Sequence, residues 1–487
     1  MSEKYDVIII GAGIGGLTCG CYLAKAGLKV LIVEQHDKPG GYCTSFKRRG
    51  FKFDAAVHKL GSVKRGVLSA ILSELDLTNK IKFLQSDPTD RIITPNNTVL
   101  IRANPYETVS EFKKSFPEQK QEIDKFFELI LDSDIVSIAT KIKKLTFKEL
   151  LNHYFIDSEI QSLFSILLAS IGSSSSQTSA LSAAIFFREF ILDPGYYPEG
   201  GIQSFPDTLA NLIKTKGCEL IYSKKATKIL VNNNAVSGVI IDNEMEISSR
   251  IVVSNIDATF TYSNLLSDSE VKENKTVQNL KPSSSAFALY LGLKRNLSKL
   301  HQESSSIWFS ETLDIDSWIE SFSKEPLNLE IPYVLICFPT FYEKKCDSDK
   351  AVVQIFTNAP YKTKLFWDKN RIQVESKMIE LLKKAVPGIT EDDFELKLSA
   401  TPRTFNRYTN NRDGAIYGWE SNLEQLKSNL VPQESSLSGL ILCGHWCTSG
   451  FGSEGGVPGA ATIGRNAARI IYDKFQIKWP WKVFILK

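Results

Sequence analysis

The chain opens Tyr5-Asp6-Val7-Ile8-Ile9-Ile10-Gly11-Ala12-Gly13-Ile14-Gly15-Gly16, and no other feature narrows its fold so far. Val7 to Ile10 reads as a buried strand, Gly11-x-Gly13-x-x-Gly16 as a turn, and the Leu/Ala-rich stretch beyond, through Gly15 and on, as a helix. Gly11 permits the tight turn, Gly13 lets the backbone approach a pyrophosphate, and Gly16 lets the helix pack close to the strand. The helix N-terminus then presents free N–H groups and a positive dipole end to phosphate. The predicted helix ends at Gly27, and a second strand over 29–33 delivers Glu34, twenty-three positions beyond Gly11. An acid about 20 residues on is what accepts the ribose hydroxyls of a dinucleotide. Glu34 would face a 2′-phosphate with like charge, so the motif disfavours NADP and leaves NAD and FAD open.

At 487 residues the chain needs more than one lobe. The first segment alternates strand, glycine turn, helix and strand, whereas 111–135 and 146–168 carry apolar residues at three- and four-residue steps, a helical patterning. Gly195 to Gly201, with Pro194 and Pro198, punctuates a return to the first lobe. A helix over 204–215 and strands over 226–231, 235–241 and 250–255 follow. Strands over 285–293, 333–339 and 351–358 then alternate with helical stretches, notably 371–385. The last lobe holds a short strand over 440–443 and a helix over 460–472. The fold class expected is α/β: a Rossmann-type dinucleotide-binding lobe in three discontinuous segments (1–72, 198–262 and 400–475) with an interleaved α+β substrate lobe (73–197 and 263–399).

Composition excludes several classes. Fifty-eight basic against 55 acidic residues leave a net charge of +3, with no long basic run, so nucleic acid is not an expected partner. No apolar run approaches the roughly 18 residues that span a bilayer; the stretches 163–171 and 180–187 read as buried or interfacial helices. The N-terminus shows no cleavable signal pattern, and the eight cysteines read as free thiols of a reducing cytosol. Cys443, His445 and Cys447 lack a fourth ligand at suitable spacing, so no metal is expected.

The next stretch, Pro39-Gly40-Gly41-Tyr42 on to Gly50, Phe53 and Asp54, resembles the flavin-containing amine oxidase superfamily. Within it the likeness is to the phytoene desaturase, carotenoid isomerase and retinol saturase group, and it covers nearly the whole chain. Tyr197-Pro198-Glu199-Gly200-Gly201 is similar to that group's return into the flavin lobe. Thr401-Pro402, then Arg407-Tyr408-Thr409 and Gly414-Ala415-Ile416-Tyr417-Gly418, resemble its next segment, and 440–468 its C-terminal flavin signature. The resemblance implies FAD. Gly11, Gly13, Gly15, Gly16, Glu34 and Gly41 would hold the ADP half, with Ala226 in the strand that meets adenine. Gly444 would approach the pyrophosphate, and Gly456, Val457 and Pro458 would sit by the isoalloxazine. His445 stands where the wider superfamily often has an acid, and would donate to a phosphate or ribitol oxygen.

The resemblance also implies an apolar polyene or isoprenoid substrate, whose C–C bonds are desaturated, saturated or isomerised. Alternatives are an amine oxidase-like enzyme on a small substrate, with Trp446 in an aromatic pair, or a lipid-binding flavoprotein without turnover. His58, in a stretch resembling the saturase pattern with Ala56 in place of its glycine, is the first catalytic candidate. Its two readings are a proton donor near the ring and a histidine satisfied by backbone hydrogen bonds. Tyr417 and Arg407 complete the catalytic candidates, while His36, His153 and His301 read as solvated. The expected location is cytoplasmic, with peripheral contact to a membrane. The tail 476–487, rich in Trp and Lys, suits either a membrane interface or packing on the protein.

Overall fold

The computed structural model describes residues 5–267, 271–295, 304–323, 329–342, 350–427, 431–448 and 455–481. The opening strand Val7–Ile10 lies at the centre of a five-stranded parallel sheet, ordered Leu440–Leu442, Val252–Ser254, Val7–Ile10, Val30–Val33, Glu219–Ile221. Four of its strands are buried on both faces and read as largely apolar runs, whereas the edge strand Glu219–Ile221 is partly exposed. The opening helix Ile14–Lys25 and the closing helix Gly456–Lys474 pack against one another over this sheet. Gly464 makes that approach possible, because a Cβ there would stand 2.2 Å from the Gly15 carbonyl oxygen. A three-stranded antiparallel sheet, Ala226–Asn232, Ala235–Ile241 and Met245–Ser248, flanks this layer.

A second, seven-stranded sheet runs Phe394–Ala400, Ser285–Leu293, Ala351–Ala359, Tyr333–Cys337, Ser306–Ser310, Asp90–Ile93, Thr98–Ile101. Alternation along these strands divides its faces. Phe287, Leu289, Leu291 and Leu293 point into a core shared with Val353, Ile355 and the helices of 105–192. Ala286, Ala288 and Tyr290 point the other way, towards Phe51 and Phe53 of the first lobe.

The two stretches of helical patterning are helical, each in more than one piece. The periodic stretch 111–135 becomes Pro105–Ser115, a 3-10 turn at Pro117–Gln119, Lys120–Phe127, a π turn at Glu128–Asp132, and Ile135–Ile142. Pro117 cannot donate to the preceding turn, and Asp134 caps a new helix by accepting from Val136 and Ser137 N–H. The stretch 146–168 divides at Phe155, where Asp157 caps Ser158–Leu168 by accepting from Glu159 N–H. The long helix of the second lobe begins at Lys364, seven residues before the periodicity suggested, with Thr363 as its cap.

Candidate functional site

The glycine turn sits where four parallel strands end together. Gly11 N–H donates to the Val33 carbonyl (2.8 Å) and Asn255 N–H to Ile10 (2.9 Å), while Cys443 N–H donates to Ser254 (2.8 Å). Glu34 is buried at the end of its strand. Its carboxylate accepts from Ala12 N–H at 2.7 Å and His36 N–H at 2.9 Å, which fixes it beside the glycine loop. Gly11, Gly13, Gly15, Gly40, Gly41 and Gly444 line one cavity, which Glu34 and Ala226 also line. Gly16 is turned away and serves packing, since a Cβ there would lie 2.4 Å from the Gly11 carbonyl oxygen. Gly41 holds φ +60, and a Cβ on it would be 3.4 Å from Gly13 Cα, so the cradle is bare backbone on both sides.

Asn255 joins the two halves of this cradle, and sequence reasoning gave it no role. Its amide donates to the Gly11 carbonyl at 3.0 Å. Side chains added at Gly13, Gly15, Gly16 or Gly444 would meet Asn255 within 2.6–3.1 Å. The available signal was an asparagine ending an apolar strand.

A second uncapped helix opens into the same cavity. Gly456–Lys474 has Gly455 as its N-cap without a side-chain bond, and neither this helix nor Ile14–Lys25 carries an acid in its first turn. Both N-termini therefore present free N–H groups to the cavity. Val457 and Pro458 form the first turn, and the Tyr417 ring stands over it: Tyr417 Cδ1 is 2.3 Å from where a Gly455 Cβ would be. Burial pushes the Tyr417 phenol up to about 12, and its backbone N–H donates to Ser283 Oγ at 3.0 Å. His445 also faces this region; burial brings its imidazole down to about 4, so it is neutral near pH 7. Asn411 stands 3.4 Å from His445 Nε2, donates to the Tyr42 hydroxyl at 3.3 Å, and accepts from Trp446 Nε1 at 3.0 Å. Trp446 is buried edge-on against Trp419, with ring centroids 4.7 Å apart. Trp446 also lines the cavity beside His445.

The cavity continues to a volume of about 1810 Å³ along the inner face of the seven-stranded sheet. Ala400, Ala288, Phe356, Leu335 and Trp308 are successive cross-strand partners and form one row along that face. Ile171, Ile185 and Phe186 line the same space. His58 lies half-buried in this wall, its ring 6.1 Å from that of Phe356. Lost hydration and the adjacent Lys59 ammonium hold its imidazole well below the usual range, although the Ala56 backbone accepts a bond from it. Lys59 itself is buried and donates to Asp90 Oδ1 at 2.5 Å and to Ser306 Oγ at 2.8 Å. Burial opposes ionisation of Asp90, but Lys59, Ser306 and Trp308 outweigh it and keep that carboxyl below its ordinary range. Neither Lys59 nor Asp90 was foreseen.

The remaining candidates lie elsewhere. Arg407 is exposed on the cavity rim with its guanidinium 5.1 Å over the Tyr408 ring, apart from the buried wall that holds His58. His36 departs from its expected solvation: it is half-buried, lines the cavity, and its Nε2 lies 2.5 Å from the Tyr408 carbonyl. His153 is exposed, and His301 falls outside the described residues. Among the described residues no cluster of three His, Cys, Asp or Glu side chains offers a metal site. Trp479 and Trp481 pack on Tyr22 at 5.4 and 4.9 Å, and Trp479 meets Tyr472 at 4.9 Å. These rings are thereby turned towards the protein; residues 482–487 of the tail lie outside the described set. No helix among the described residues is long and apolar enough to cross a membrane.

A family model described as flavin containing amine oxidoreductase matches residues 14–472. The chain is 24% identical over 485 residues to all-trans-retinol 13,14-reductase of Rattus norvegicus, covering 87% of this chain and 79% of that protein. It is 28% identical over 464 residues to the chloroplastic prolycopene isomerase of Daucus carota, covering 86% and 72%. Among solved structures, an oxidoreductase from Methanosarcina mazei shares the fold with a TM-score of 0.68 at 19% identity, covering 95% of this chain and 99% of that one.

Proposed function

The chain belongs to the flavin-containing amine oxidoreductase family, and from that membership we propose that it is an FAD-dependent oxidoreductase acting on carbon–carbon bonds of an isoprenoid, carotenoid or other polyene lipid. One observation carries the substrate class. The cavity of about 1810 Å³ exceeds the roughly 300–1,000 Å³ of a single-ligand pocket, with a bare glycine cradle in one part and an apolar sheet face in another. A dinucleotide in the cradle leaves room for a long apolar molecule along the row from Ala400 to Trp308. The reductase and isomerase relatives are named for retinol and prolycopene, which suit such a space.

The protein's part is binding, orientation and charge. N–H groups of the Gly11–Gly16 loop and the opening helix would hold the pyrophosphate, and Glu34 would accept from ribose hydroxyls. The N-terminus of Gly456–Lys474 would lend positive potential to the isoalloxazine end of the cofactor. When bound, FAD supplies the two-electron centre that exchanges hydride with a substrate carbon. Tyr417 forms one wall of the reacting space, and the apolar row excludes water and aligns the chain of double bonds. His58 lines the same cavity, is held neutral near pH 7 by lost hydration and Lys59, and donates to the Ala56 backbone. A lipid of this kind resides in a bilayer, so the enzyme works at a membrane surface.

The test is anaerobic. Flavin-loaded protein, oxidised or reduced beforehand with dithionite, is given a conjugated polyene. The oxidised flavin should be bleached by a substrate that loses two hydrogens, or the reduced flavin should recover its oxidised spectrum or change the polyene's absorption. No change with any polyene would leave a lipid-binding flavoprotein without turnover.

A further inference from the structure

The rim between the long helix Lys364–Ala385 and the short helix Pro402–Thr409 differs from the rest of the described surface. Of seven large apolar side chains standing exposed among the described residues, three are here: Leu365 (79%), Ile372 (68%) and Tyr408 (48%). Leu365 and Ile372 are seven positions apart, two turns along one helix face, while Trp367, Val374 and Met378 bury the opposite face. Tyr361, three residues before the long helix, bonds to the short one: Arg403 donates to its hydroxyl and that hydroxyl donates to Asn406 Oδ1, both at 3.4 Å.

Cations surround these side chains. Lys362, Lys364, Lys369 and Arg371 lie on or just before the long helix, and Arg403 and Arg407 sit one turn apart on the short one. Nearby acids are fewer: Asp368 pairs with Lys364 at 2.6 Å, and the buried Glu375 stands 3.6 Å from both Arg371 and Lys397. Arg403 and Arg407 stack on Tyr361 and Tyr408, and neither meets a carboxylate among the described residues. The whole chain is nearly neutral at +3, so this positive charge is a local feature. Lys364, Arg371, Arg403 and Arg407 also line the cavity that holds His58 and Tyr417.

We propose that this rim docks the enzyme on an anionic lipid bilayer, with Leu365 and Ile372 inserted among the acyl chains and the Arg403–Arg407 pair set against lipid phosphates. The inference rests on the proposed lipid substrate and names the surface that substrate leaves. Aliphatic side chains gain by leaving water, and each Lys or Arg near an anionic leaflet adds attraction that salt screens. Guanidinium groups suit this role because they bind phosphate oxygens bidentately. The tail tryptophans, packed on Tyr22, take no part.

The experiment is co-sedimentation of the full, FAD-loaded chain with vesicles of phosphatidylcholine alone or mixed with phosphatidylglycerol. The proposal expects binding that needs phosphatidylglycerol and weakens with salt. L365S/I372S should bind about 10-fold or more weakly, and R403Q about fivefold more weakly. Both changes lie at exposed side chains, so flavin content and thermal midpoint should stay at the parent values. Equal binding to both vesicle types, or unchanged binding by L365S/I372S, would overturn the proposal. So would loss of binding on W479S/W481S alone. Polyene turnover in detergent, where no bilayer is needed, is read separately. Its absence in the parent refutes the lipid-oxidoreductase reading, while the vesicle result still decides the docking face.

Discussion

Asn255 offers the sharpest perturbation of the cofactor cradle. Its amide donates 3.0 Å to the Gly11 carbonyl, and its side chain lies within contact distance of the positions that a Cβ on Gly15 or Gly444 would take. In Asn255→Ala this hydrogen bond is lost, a cost of about 1 kcal/mol, so FAD should bind about fivefold more weakly. Asn255→Asp keeps the shape but replaces the donor with an ionised acceptor that opposes the Gly11 carbonyl and faces the cradle. Two like charges at ~4 Å under effective surface screening repel by up to about 4 kcal/mol, so a loss of about 2–4 kcal/mol, or roughly 30- to 1,000-fold, is expected. The assay is titration of apoprotein with FAD by flavin fluorescence, repeated with ADP and with adenosine as competitors. If the residue organises the phosphate cradle, the deficit appears with FAD and ADP and not with adenosine. If it merely fills space, the isosteric aspartate should be mild and alanine worse. That order of affinities would refute the reasoning.

Three further outcomes follow from the same geometry. Gly455→Ala places a methyl group 2.3 Å from Tyr417 Cδ1 and must displace that ring, so kcat should fall about 100-fold with flavin content retained; unchanged kcat would remove Tyr417 from the reacting space. Because the folded His445 titrates near 4 against about 6.5 unfolded, the unfolded chain binds the extra proton first, and stability falls as pH drops from 6.5 to 4. The contribution is about 3 kcal/mol, read as a shallower pH dependence of the urea midpoint in His445→Gln; identical slopes would contradict it. Replacing Trp479 and Trp481 with serine should lower the unfolding midpoint through lost contact with Tyr22 and Tyr472, by about 1–3 kcal/mol. An unchanged midpoint would show that the described part of the tail adds nothing.

The parts of the site that are contiguous in sequence were legible there. The opening strand, the glycine turn and Glu34 lie within thirty residues, each glycine answers a local backbone demand, and the strand and helix periods are clean. The helices of 111–168 were less so, because apolar periodicity continues across breaks set by single residues such as Pro117, Asp134 and Asp157. Contacts set by tertiary approach were not legible at all. Lys59 and Asp90 meet because a strand of the second sheet runs under the loop after Asp54, and nothing local to either residue announces the pair. Asn255 reads as the polar end of a strand until Gly11 and Gly444 are brought to its two sides. His58 was visible as a candidate, but its neutral state depends on burial and on Lys59.

The central claim is that one cavity holds FAD in its glycine cradle and a polyene lipid along its apolar sheet face. Its most direct test is to incubate flavin-loaded protein with polyene lipids under oxidised and under reduced conditions and to follow mass and absorption together. The account predicts a gain or loss of two hydrogens, or a shifted absorption spectrum at constant mass. Full flavin loading with polyenes unchanged in mass, spectrum and flavin redox state would contradict it.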